Sequence, residues 1–285
     1  MRGSLLFAFA AAACSGAEAR SILFIGNSFT FGALSPVEHW QPGTVTDLKG
    51  DGVGGVPALF KRFTEESGLN YKVSVETAPG RSLDWHWENK RGAVDRRWDA
   101  VVMQEYSTLD PDRPGDAGRL IAASGKFARL FRSHNPAIQL ALVSTWSRPD
   151  QSYVAGRYWS GQPIYQMALD IRSADDRAAK ASKIATVAPV GEAFNCAIAK
   201  GIADPNPYDG IELGKTDLWA SDHYHASTAG YYLEALTIFA RVTASDPRKL
   251  GRGETAAKEL RLAPRLAQQL QEVAFEVAVR GRCQA

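Results

Sequence analysis

From about residue 20 onward, short runs of apolar β-formers alternate with longer amphipathic stretches. Runs rich in Val, Ile, Leu or Met at 22–25, 71–77, 100–104, 138–144 and 184–188 read as strands. Helical patterning covers 56–67, 83–96, 115–133, 164–183, 193–200 and 228–243. A last helix is predicted at 264–280, where Leu266, Leu270, Val273 and Val277 share one face and Pro264 suits the first turn. Strands alternating with helices predict a parallel sheet covered on both sides. The expected fold is an α/β three-layer α/β/α sandwich with a five-stranded parallel, flavodoxin-like sheet. No internal repeat or low-complexity linker divides the chain, so 20–285 is expected to form one domain. The long unpatterned stretches 32–55, 106–114, 148–161 and 203–221 are expected to wall a substrate cleft.

Residues 1–19 differ from the rest. Arg2 precedes an apolar stretch at 5–13 and then Ala17-Glu18-Ala19. This is the pattern of a secretory signal peptide, and its apolar core is too short to span a bilayer. The expected location is outside the cytoplasm, periplasmic or secreted, with lipid attachment at Cys14 as the less favoured route. Beyond the signal remain Cys196 and Cys283. They are either a disulfide pair or a buried thiol and a free one near the C terminus. The 33 basic and 31 acidic residues of the 285 are interspersed, so neither nucleic acid nor an anionic membrane is an expected partner.

Gly50-Asp51-Gly52-Val53-Gly54-Gly55 matches a dinucleotide-binding spacing, but no strand precedes it, and it reads as a loop into a helix. Asp222, His223 and His225 resemble metal ligands, yet His39, His86 and His134 offer no third ligand at metal spacing. No metal or organic cofactor is expected. The remaining chemistry is nucleophilic. Ser28 stands where the first strand ends, in Phe24-Ile25-Gly26-Asn27-Ser28, the position at which an open parallel sheet presents reactive groups. A serine hydroxyl needs a base, and an imidazole base needs a partner that fixes its tautomer. Asp222 and His225 supply base and orienter from a single turn. Each feature alone has a plainer reading: turn glycines at Gly26 and Gly80, a helix-capping Asp222, a strand-ending Gln104.

Together, in order, these blocks resemble an SGNH/GDSL-family hydrolase. Gly26-Asn27-Ser28 resembles its first block, Ala78-Pro79-Gly80-Arg81-Ser82 its glycine block, and Asp222-His223-Tyr224-His225 its final D-x-x-H block. The third block departs. Where the family carries G-x-N-D, this chain has Met103-Gln104-Glu105-Tyr106, as in a subfamily with a Gln-Glu pair. The resemblance implies Ser28 as nucleophile, His225 as base and Asp222 as orienter. It also implies an oxyanion hole of Ser28 N–H, Gly80 N–H and the Gln104 amide, one methylene longer than asparagine. D-x-x-H spacing selects His225 over His223. Asn27, His86, Trp146 and Trp219 are candidate cleft residues. The expected activity is exported serine ester hydrolysis through an acyl-enzyme. A carbohydrate O-acetyl group is a reasonable substrate. Acyl transfer through the same residues and a non-catalytic glycan- or lipid-binding module are the alternatives.

Overall fold

Alternation within the first strand builds both layers of the core. In β1 (Arg20–Gly26), Ile22 and Phe24 join one apolar cluster while Leu23 and Ile25 join the other, because successive strand side chains point to opposite faces. The computed structural model describes residues 18–284; the expected signal core and Cys14 lie outside the described residues. The remaining strands are β2 (Thr46–Asp47), β3 (Tyr71–Thr77), β4 (Ala100–Gln104), β5 (Gln139–Ser144) and β6 (Thr186–Pro189). They form one parallel sheet in the order β2-β3-β1-β4-β5-β6. Five strands match the predicted runs. The sixth, β2, is a two-residue edge piece pairing Thr46 with Ser74 and Asp47 with Val75. It is too short and too polar to leave a periodic signal.

The helices are α1 (Ser28–Phe31), α2 (Gly55–Glu66), α3 (Leu83–Asn89), α4 (Arg91–Val94), α5 (Gly118–His134) and α6 (Pro149–Ser152). They continue with α7 (Gln166–Ser182), α8 (Val190–Ala199), α9 (Thr228–Thr243), α10 (Thr255–Glu259) and α11 (Pro264–Ala274). Phe60, Phe194, Phe239 and Leu270 place α2, α8, α9 and α11 on one side of the sheet. Leu83, Phe127 and Ile171 place α3, α5 and α7 on the other. The helix expected over 83–96 is broken at Lys90, whose φ of −127° is not helical. The helix expected over 264–280 changes at Phe275 into a wider π-helical turn that runs to Val279.

Cys196 and Cys283 are joined in a disulfide with Cα atoms 5.6 Å apart, which settles the two readings of these residues. The bond ties the C-terminal segment to α8 across 87 positions of sequence. Long loops lose the most unfolded-state freedom on cross-linking, so replacing both cysteines by serine is expected to lower stability by about 2–4 kcal/mol in urea unfolding.

Candidate active site

All the candidate residues gather at the C-terminal edge of the sheet, where β1 lies between β3 and β4 and the chain switches sides, the usual place for ligands in open α/β sheets. Ser28 begins α1, a single turn. Asn27 caps it, its side-chain oxygen accepting from Phe29 N–H at 3.1 Å, and Gly32 ends it at φ +81°. As the first residue of a helix, Ser28 has an N–H with no acceptor inside that helix. The hydroxyl-bearing residue is 6% exposed. The turn fits only because Gly26 lacks a side chain. A Cβ there would lie 2.1 Å from Thr30 Oγ1 and 2.8 Å from Gln104 Oε1.

The Asp-His loop precedes α9. Asp222 Oδ2 lies 2.6 Å from His225 Nδ1, and Oδ1 accepts from the N–H groups of Tyr224 (3.1 Å) and His225 (3.0 Å). Partial burial pushes the Asp222 carboxyl up, but the hydrogen bonds from His225 and Tyr224 outweigh it and hold the group below its ordinary range. His225 Nε2 is buried and has no hydrogen-bond partner among the described residues. Its ring stands edge-on to Phe29 at 5.7 Å, beside the serine turn. An imidazole anchored at Nδ1 with a bare Nε2 can take a proton from a neighbouring hydroxyl, and such bonds commonly tighten only when substrate arrives.

His223 is built differently. Its backbone is left-handed at φ +54°, and its ring packs against Tyr208 at 4.3 Å. Its carbonyl accepts from Asp150 N–H at 3.3 Å. No bond links its side chain to Asp222.

Gly80 lies in the turn after β3, exposed and at φ +64°, a conformation that glycine adopts freely. Its N–H donates to no described residue. The Gln104 amide is arranged otherwise than expected. Its Oε1 accepts from Asn27 N–H and from Thr30 Oγ1, each at 3.1 Å, while Nε2 donates to the Glu105 carbonyl. The longer stem lets the amide fold beneath the serine turn and brace it, with one of the two Nε2 hydrogens engaged by the Glu105 carbonyl. Gln104→Leu is therefore expected to cost about 1–3 kcal/mol in urea unfolding, by stranding the Asn27 N–H and the Thr30 hydroxyl in a buried site.

The other candidate cleft residues are buried. Trp146 is fully enclosed, stacked between Phe29 (4.0 Å) and Phe194 (5.0 Å), and its indole N–H donates to Tyr224 O at 3.2 Å. Trp219 is 2% exposed and donates to Ser147 O at 3.0 Å. His86 is paired through Nδ1 with Glu76, both inside the protein. Asn27 is 3% exposed, with its amide directed at Arg81 O (3.0 Å) and Glu105 O (3.4 Å). These residues support the site from within; none of them walls a cleft.

Several residues outside the expected set hold the site together. The Tyr231 hydroxyl reaches the carbonyls of Ser28 (3.3 Å) and Ala33 (3.1 Å), which ties α9 to the serine turn. Buried Arg148 pairs with Asp150 at 2.7 Å, donates to Ser107 Oγ at 2.9 Å and lies 3.5 Å over the Tyr224 ring. Glu105 Oε1 accepts from Tyr106 N–H (2.7 Å) and Leu83 N–H (3.2 Å), fastening the glycine turn to the end of β4. Burial pushes that carboxyl up to about 8. The Tyr at the fourth position of α9 and the Glu after Gln104 were visible in their blocks. Arg148 has a close neighbour in Asp150, but Ser107 and Tyr224, which place it at the site, are far away in sequence.

No family model matches the chain, and no curated protein matches it in sequence. Solved structures do. A protein of the DUF4886 family from Bacteroides uniformis superposes with a TM-score of 0.62 at 18% identity, covering 91% of this chain and 95% of its own. A lipase/acylhydrolase from Enterococcus faecalis gives 0.50 at 15% identity, covering 79% and 96%. The chain therefore shares the α/β fold of these solved structures, a parallel sheet flanked by helices.

Proposed function

We propose that the chain is an exported serine ester hydrolase. The reading rests above all on the Asp222–His225 pair at 2.6 Å, with Nε2 of the histidine bare beside the serine turn. In this reading Ser28 Oγ attacks the ester carbonyl while His225 accepts its proton. His225 then returns the proton to the leaving alcohol, and water releases the acyl group from Ser28 by the reverse route. The N–H groups of Ser28 and Gly80 hold the oxyanion. Asp222 fixes the imidazole tautomer and stabilises its cation. The substrate is a small acyl ester, and an O-acetylated carbohydrate is the first to assay. Export rests on the N-terminal signal pattern.

Turnover of p-nitrophenyl acetate, together with labelling by a serine-directed phosphonate, tests the mechanism. The wild-type chain is expected to turn over and to carry the label on Ser28, and Ser28→Ala to lose both. Turnover that survives in Ser28→Ala, or that a chelator abolishes and zinc restores, would overturn it.

A further inference from the structure

At the β6 edge of the sheet, three strands from β1, a cavity of about 660 Å³ opens between α7, α8 and the C-terminal segment. That volume lies within the ~300–1,000 Å³ typical of small-molecule sites. Neither Ser28 nor His225 lines it. Leu169, Val187 and Val277 supply apolar wall, and Leu169 and Tyr165 remain 43% and 49% exposed there. The disulfide between Cys196 and Cys283 forms part of the same wall and pins the C-terminal segment against α8.

The charged groups at this cavity are unusual. Arg241 lines it without a carboxylate partner among the described residues; its guanidinium donates instead to the carbonyls of Val187 (3.3 Å) and Ala278 (3.2 Å). Arg282 lines it too and likewise makes no ion pair among the described residues. Glu192 faces it with Oε2 buried and unpartnered, although its other oxygen pairs with Arg172. A cation held on carbonyl oxygens keeps its full charge for a ligand. A wholly polar anion would leave Leu169 and Tyr165 in water, and a neutral apolar molecule would leave Arg241 unused.

We propose that this cavity binds an amphiphile with one anionic head, the head on Arg241 and the chain along Leu169, Val187 and Val277. The site is separate from the serine chemistry and stands whether or not that reading holds.

Octanoate is the probe and 1-octanol its uncharged counterpart, each titrated calorimetrically into the full chain. Octanoate is expected to bind at one site at least tenfold more tightly than 1-octanol. Arg241→Gln is expected to weaken octanoate about tenfold and to leave 1-octanol unchanged, the size expected for one charge-assisted contact. Leu169→Glu is expected to abolish binding of both. If Arg241→Gln fails to fold, Leu169→Glu carries the test, since a half-exposed surface position tolerates the change. The proposal fails if octanoate and 1-octanol bind equally, or if Leu169→Glu leaves octanoate affinity intact. It fails too if octanoate shows no binding up to about 10 mM, beyond the weakest affinity such a site would be expected to have.

Discussion

Replacing His225 by alanine is expected to lower kcat on p-nitrophenyl acetate by about 10⁴–10⁶-fold, while His223→Ala keeps it within about threefold. The two histidines are two residues apart and chemically alike, so the difference comes from what each touches. His225 has a carboxylate at 2.6 Å on Nδ1 and a bare Nε2, which makes it an oriented base. His223 has no such carboxylate; its ring lies on Tyr208, and its backbone holds the loop through Asp150 N–H. Only the imidazole of His225 has a carboxylate in place to fix its tautomer and to stabilise the cation that proton transfer from Ser28 would create. Alanine at position 223 keeps the left-handed backbone that histidine already adopts and loses the ring contact with Tyr208, so a small fall in thermal stability without a fall in kcat is the expected signature. Loss of turnover in His223→Ala with activity retained in His225→Ala would reverse the assignment.

That contrast was legible in the sequence because D-x-x-H is local. Three residues of spacing bring Asp222 Oδ2 to His225 Nδ1 within one turn, and the same carboxylate also caps the N–H groups of Tyr224 and His225. The central strands were legible for a related reason: Ile22-Leu23-Phe24-Ile25 is apolar on both faces, and only a strand buried on both sides tolerates that. What escaped depends on partners distant in sequence. Trp146 and Trp219 each present a large ring beside the site in sequence, but composition cannot show that Phe29 and Phe194 sandwich the first. Gln104 has the right amide at nearly the right place. Its direction was decided by Thr30 and the Asn27 N–H, 74 and 77 positions away. The stem, one methylene longer than that of asparagine, therefore lets the residue brace the turn through Oε1. In the proposed mechanism the oxyanion then falls first to the backbone N–H groups of Ser28 and Gly80.

Asp222→Asn should be almost as damaging as loss of the base, with kcat reduced by about 10⁴-fold and KM little changed. Asparagine has nearly the volume of aspartate and can still accept from the N–H groups of Tyr224 and His225, so the loop is expected to keep its shape. It cannot carry the charge that stabilises the imidazolium, and its amide favours the wrong tautomer at Nδ1. The same pair has a pH signature in stability. Because the folded-state pKa of Asp222 is depressed, its contribution is fully present above the unfolded carboxylate value of 3.8 and is lost as pH falls through the lower folded value. The stability difference between the wild-type chain and Asp222→Asn, read from urea unfolding, is therefore expected to narrow below pH 3.8. A difference that stayed constant down to the lowest pH at which the chain folds would mean that the carboxylate is not charged against His225, and the orienting role would fail with it.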